Sequence, residues 1–252
     1  MVNDTVTHRR QPTAPDAAPG KQIDDARWNA AALFRAGLAQ GAAAALWRLP
    51  GHAAPGALVD VTGAYGPAPI DFRRPRQEFV FAPFINQPDN AALRLHADLL
   101  IRADGQVSVA APGAAAARIL ADFARFQADA SLPTPAWHLP PAAAGADAAA
   151  DEGAFTALVR DAVDFIRKTD IAKVVVSRLT ERRLPAGFDP VAAFAELCVR
   201  YPHAFVSLVT IPGVGTWMGA SPEVLLTVDQ ARLTTMALAG TQRRPEDRPL
   251  AA

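Results

Sequence analysis

Leu93-Arg94-Leu95-His96-Ala97-Asp98-Leu99-Leu100-Ile101, then Asp104-Gly105, then Gln106-Val107-Ser108-Val109-Ala110 is the stretch whose reading decides the class of fold. Two apolar runs flank an Asp-Gly pair, the dipeptide that most readily supplies the positive φ of a tight hairpin turn. The stretch therefore reads as two antiparallel strands. Working outward, residues 57–61 and 78–84 read as further strands, the second stopped by Pro83. Residues 24–47 read as one helix, capped by Asp24, with Trp28, Ala31, Leu33, Leu38 and Leu46 as its apolar positions and Gly37 and Gly41 as interruptions.

The second half continues the mixture. Residues 114–128 and 152–168 are helical. The latter sets Phe155, Leu158, Val159, Ala162, Phe165 and Ile166 on one face. A strand over 171–178 follows it, then a helix over 190–200, a strand over 204–210 and a Gly-rich bend. A hairpin of 224–228 with 232–238 ends the pattern. Antiparallel strands with interspersed helices predict an α+β fold, with antiparallel or mixed sheets flanked by helices, rather than a doubly wound parallel sheet. No Gly-x-Gly-x-x-Gly or P-loop follows any strand, so a nucleotide site has no local support.

Four regions are expected. Residues 1–22 carry Pro12, Pro15, Pro19 and Gly20 among small and polar residues and read as disordered. Residues 23–131 form the first part of the fold, 132–151 a Pro- and Ala-rich linker, and 152–252 the start of a second, chemistry-bearing region.

Composition excludes several classes of function. The 25 Lys and Arg balance 25 Asp and Glu, which gives no reason for general attraction to nucleic acid or to an anionic membrane. A single cysteine, Cys198, permits no intramolecular disulfide and suits a reducing compartment, where it reads as a small buried hydrophobe. His8, His52, His96, His138 and His203 are scattered without ligand spacing. No apolar run reaches the roughly 18–20 residues of a bilayer span, and the first 25 residues lack the apolar centre of a secretory signal. A cytoplasmic location is the expectation.

Three places can carry chemistry. Lys173, one of only three lysines, sits inside Ile171-Ala172-Lys173-Val174-Val175-Val176, a β-branched run that reads as a buried strand. Desolvation favours the neutral amine, which is a base. The alternative is an edge-protecting lysine with its head in water. Glu223, in Gly219-Ala220-Ser221-Pro222-Glu223, stands at the mouth of an apolar strand and is a candidate general acid, against an ordinary turn carboxylate. Ala237-Leu238-Ala239-Gly240-Thr241 ends a strand with free backbone N–H groups and a hydroxyl suited to a small anion, against a plain strand-ending turn.

Together, Lys173-Val174-Val175-Val176-Ser177-Arg178, Gly219-Ala220-Ser221-Pro222-Glu223-Val224-Leu225-Leu226 and Ala237-Leu238-Ala239-Gly240-Thr241 resemble the chorismate-utilising enzymes in order and approximate spacing. That family includes isochorismate, salicylate, anthranilate and aminodeoxychorismate synthases. Residues 79–84 resemble the N-terminal half of isochorismate synthases more weakly. The resemblance implies an isomerase that forms isochorismate, with salicylate synthase as the alternative. Lysine rather than glutamine at 173 goes with members that activate water, and Ala239 stands where aminodeoxychorismate synthases carry a nucleophilic lysine. By the same resemblance, Lys173 would deprotonate the water that attacks C2, and Glu223 would protonate the departing C4 hydroxyl. Ala239, Gly240 and Thr241 would contact substrate. Magnesium is the implied cofactor, with ligands expected beyond residue 252, and no glutamine amidotransferase subunit is expected. The chain is thus expected to be the N-terminal portion of such an enzyme, inactive or nearly so without its C-terminal half. The product would feed quinone (menaquinone) or siderophore synthesis. A non-catalytic fold remnant acting as an interaction protein is the reading from a different class.

Overall fold

The computed structural model describes residues 22–63, 65–67, 76–83, 91–102, 104–139, 151–178, 183–229, 232–236 and 238. In chain order the elements are α1 (Gln22–Ala39), β1 (Ala43–Arg48), β2 (Gly56–Asp60), β3 (Gly66–Pro67), β4 (Glu78–Phe81), β5 (Leu93–His96), β6 (Leu99–Ile101) and β7 (Val107–Val109). They continue with α2 (Ala114–Ala128), α3 (Asp151–Lys168), α4 (Pro190–Arg200), β8 (Phe205–Ile211), β9 (Gly215–Ser221), β10 (Thr227–Asp229) and β11 (Arg232–Thr234). The class is α+β, as the sequence predicts.

Alternation along the strands builds two cores. Ala44 and Leu46 of β1, Ala57 and Val59 of β2, Leu99 and Ile101 of β6, and Val206 and Leu208 of β8 point to one face. There they meet Leu33, Phe34 and Leu38 of α1, Ile119 and Phe123 of α2, and Val191 and Phe194 of α4. The intervening residues, Ala43, Ala45, Leu58, Leu100, Val209 and Ile211, point to the other face and meet Leu95, Phe79 and Phe81 of a smaller sheet. A strand buried on both faces needs no polar alternation, which is why these runs read as continuously apolar. The main sheet is antiparallel throughout its six strands, in the order β7-β6-β2-β1-β8-β9, and the smaller sheet runs β3-β5-β4.

The expected helix over 24–47 is corrected. The helix ends at Ala39, Gly41 takes φ +65°, and the Ala42 and Gly41 amides return to the Gly37 and Leu38 carbonyls at 2.9 Å. Residues 43–48 then form β1. Alanine favours helix intrinsically, but that preference is a few tenths of a kcal/mol per residue, and burial between two layers outweighs it. Gly37 serves a second purpose: a Cβ there would meet Val59 Cγ2 at 3.0 Å and Ala44 Cβ at 3.2 Å, so the missing side chain lets α1 lie on the sheet.

The expected single strand over 93–101 is two strands in different sheets. Asp98, buried at the break, accepts the Val61 and Thr62 amides at 2.9 and 3.0 Å and the Thr62 hydroxyl at 3.0 Å. Its own carbonyl receives the Ala110 amide at 2.7 Å. These bonds turn the chain from one sheet into the other. The Asp104-Gly105 turn is present, with Gly105 at φ +76° and β6 paired to β7.

The described part of the expected linker, residues 132–139, is tethered rather than free. Leu132 and Trp137 pack on the core, Trp137 meets Phe188 edge-on at 6.2 Å, and Thr134 donates to Asp189 at 2.9 Å. Residues 140–150 and 1–21 lie outside the described residues; of the stretch expected to be disordered, 1–22, only Gln22 is described, and it opens α1. Asp189 also caps α4, accepting the Val191 amide at 2.8 Å, and Pro190 opens the helix. At the other end Arg48, 3 % exposed, donates to the carbonyls of Tyr201 and Pro202, so a strand from the start of the chain closes a helix near its end. Cys198 is half-buried against the core.

Candidate functional site

The predicted strand over 171–178 is not one. The segment is irregular, and Lys173 is exposed, as are Val174 at 39 % and Val175 at 80 %. A strand exists through its neighbour's backbone groups, and no described residue offers them here. What anchors the segment is α3. The Thr169 hydroxyl donates to the Phe165 carbonyl at 2.9 Å and accepts the Ile171 amide at 3.4 Å, and the Arg178 guanidinium lies 5.2 Å from the Phe155 ring. Half of the apolar stripe of α3 is itself open, with Leu158, Val159 and Phe165 exposed. The hydrocarbon wall expected around Lys173 is therefore absent among the described residues, and no described hydrogen bond or ion pair engages it.

The second motif straddles the end of β9, a strand where the sequence predicts a Gly-rich bend. Pro212, Gly213 at φ +76° and Val214 turn β8 into β9, and Ser221 closes the ladder opposite Phe205. Beyond it the Ser221 hydroxyl accepts the Glu223 amide at 3.4 Å and donates to the Glu223 carbonyl at 3.1 Å, so one side chain grips both ends of the same residue. Pro222 removes the only amide between them. The Glu223 side chain is exposed, and its Oε1 accepts the Leu238 amide at 3.2 Å.

That last bond joins the second motif to the third. Two more run beside it: the Met236 amide to the Val224 carbonyl at 3.3 Å and the Thr235 hydroxyl to the Leu225 carbonyl at 2.8 Å. They extend the β10–β11 hairpin, in which Thr227 faces Thr234, down to Glu223 and Leu238, which stand opposite each other in that same register, while the two bonds themselves lie one residue out of it. Ala239, Gly240 and Thr241 lie outside the described residues. Sequence reasoning missed Ser221, Thr235 and Leu238 as contributors. Only the hydroxyl two residues before Glu223 was a usable signal, because a Ser two positions ahead of a residue is placed to bond its backbone.

Glu223 and Leu238 are thus brought together, whereas Lys173 is joined to neither by any described contact. A cavity of about 400 Å³ between α1, β1 and α4, lined by Arg48 and Phe194 among others, touches none of the three. Among the described residues no group of three or more His, Cys, Asp and Glu side chains converges. No described helix is long and apolar enough to cross a membrane.

Residues 77–249, more than half of the chain, match the family of chorismate binding enzymes, and all three motifs fall inside that span. The chain belongs to this family. Among curated relatives, the isochorismate synthase EntC of Escherichia coli K12 is 31 % identical over 100 residues, which is 40 % of this chain and 26 % of that protein. An anthranilate synthase component 1 of Haloarcula marismortui is 38 % identical over 94 residues, 37 % of this chain and 18 % of the other. A second, from Halobacterium salinarum, is 34 % identical over 108 residues, 41 % and 20 % respectively. The matched stretch thus spans about a quarter or less of each of these relatives. No solved structure gives a significant match.

Proposed function

We propose that this chain carries the acid and the base of an isochorismate-forming reaction on chorismate. What supports the reading is the bond from the Leu238 amide to Glu223, which sets a carboxyl group against the segment that leads into Ala239, Gly240 and Thr241. Glu223 delivers its proton to the departing C4 hydroxyl, and the backbone after Leu238 holds the substrate. Lys173 takes the proton of the attacking water at C2. Its present exposure means that 171–178 has to be covered before the amine is desolvated, so the chain alone turns over chorismate slowly or not at all.

The test grafts the matching stretch of this chain, motifs included, in place of its counterpart in the Escherichia coli isochorismate synthase. The grafted enzyme, given chorismate and Mg²⁺, is expected to form isochorismate. Lys173→Ala and Glu223→Gln are each expected to lower the rate by roughly 10²–10⁴-fold, the usual contribution of one proton-transfer group. Full activity in either variant overturns the assignment. Salicylate with pyruvate as product would replace it with the salicylate reading, and anthranilate formed from added ammonium would replace it with an amine-transferring one.

A further inference from the structure

Ser221 is the last residue of β9, and the ladder opposite Phe205 sets its place. Glu223, two residues on, lies in no strand: β10 begins only at Thr227. Its backbone is held instead by one side chain. The Ser221 hydroxyl donates to the Glu223 carbonyl at 3.1 Å and accepts the Glu223 amide at 3.4 Å. Pro222 has a fixed φ and keeps Ser221 extended, so few torsions separate the ladder from Glu223. A residue held at both its N–H and its C=O cannot turn about φ or ψ without breaking one of those bonds. The direction of its Cα–Cβ bond is thereby set. Leu238, opposite Glu223 in the hairpin register, gives its amide to the carboxylate, at Oε1 and 3.2 Å.

We propose that Ser221 is a positioning residue for Glu223: its hydroxyl carries the fixed geometry of β9 across Pro222 to the Glu223 backbone, and so aims the carboxyl group at the Leu238 amide. The proposal rests on Glu223 being the acid of the reading above. Ser221 touches no reacting atom. A proton donor to a bound ring needs its backbone fixed as well as its carboxyl group. Here the two tasks fall to different groups, the Ser221 hydroxyl and the Leu238 amide. A plain strand-ending turn predicts a different dependence: loss of the hydroxyl would free the Glu223 amide and leave the Leu238 bond as it was.

The first experiment measures amide exchange with solvent at one pH in the whole 252-residue chain labelled with ¹⁵N. Ser221→Ala is expected to speed exchange at both Glu223 and Leu238 by roughly two- to tenfold, the protection that one ordinary hydrogen bond gives. Ser221→Thr, which keeps the hydroxyl, is expected to leave both slow. The Met236 amide, bonded to the Val224 carbonyl, is the control and should not change. An unchanged Leu238 in Ser221→Ala overturns the proposal, and so does faster exchange at Met236, because Ser221 would then support the hairpin generally. The second experiment uses the grafted enzyme. There Ser221→Ala is expected to lower kcat roughly ten- to a hundredfold with KM unchanged, the cost of a misplaced group, and Ser221→Thr to restore it. In the Glu223→Gln background the same Ser221→Ala change is expected to cost nothing further. An equal loss in both backgrounds overturns the proposal, since Ser221 would then act other than through Glu223. Full activity in Glu223→Gln alone removes the acid, and the positioning role falls with it whatever the exchange rates show.

Discussion

Gly37 and Glu223 are single residues whose neighbours set what can be changed. A Cβ at Gly37 would press into Val59 and Ala44, both in the centre of the core, where side chains have little room to yield. Gly37→Ala is therefore expected to lower stability by about 1–3 kcal/mol despite alanine's better helix propensity, measured as a reduced midpoint in urea. An unchanged midpoint would mean that α1 lifts off the sheet without cost. Glycine at 37 was visible in the sequence only as a flaw in a helix. Its reason lies in a strand more than twenty residues later, which local pattern does not reach. Glu223 was legible as a carboxylate at a strand end, but its partner Leu238 contributes only a backbone amide, which any residue type except proline supplies.

The same contrast runs through the elements. α2, α3 and α4 were readable almost to the residue, because capping residues, prolines and apolar spacing act within a helix's own length. Two strands defeated the reading in opposite ways. The alanines of β1 look helical and form the centre of the sheet, while the valines of 171–178 look like a strand and form none. Both outcomes follow from pairing: β1 has a partner on each side and 171–178 has none among the described residues. For α4 the local signal is strong. Asp189→Ala is expected to cost about 0.5–2 kcal/mol from the lost cap. Part of that effect should come through loosening of 132–139, because Thr134 also bonds the Asp189 carboxylate. Urea denaturation of Asp189→Ala and Thr134→Val, singly and together, checks this: strictly additive costs would show that the two contacts are independent.

At the scale of the whole molecule, stability is expected to be uneven. β1, β2 and β8 lie inside two cores, whereas α3, 171–178 and the β10–β11 hairpin expose Leu158, Phe165, Val175, Leu225 and Leu233. Amide exchange should therefore be slowest in the central strands and fastest in α3 and 171–178, by several orders of magnitude, as expected when one part opens only globally and another locally. Equal protection in both, read by mass spectrometry of exchanged peptides, would show that the second half is covered in solution. The family was legible in three short motifs, and the antiparallel character of the sheet in one Asp-Gly turn. The strand order was not, since pairing between β1 and β8 spans most of the chain.

Arg48 lies 154 residues from Pro202, whose carbonyl it holds, and its strand runs beside β8. On a ribosome the N-terminal strand is finished early, yet its second flank stays bare until residue 210 has emerged. Through that interval an apolar, amide-bearing edge is available to whatever else is near. Survival of newly made chains should then hinge on how quickly the last third is delivered, so that slow codons between α2 and β8 would lower yield more than the same codons placed after β9.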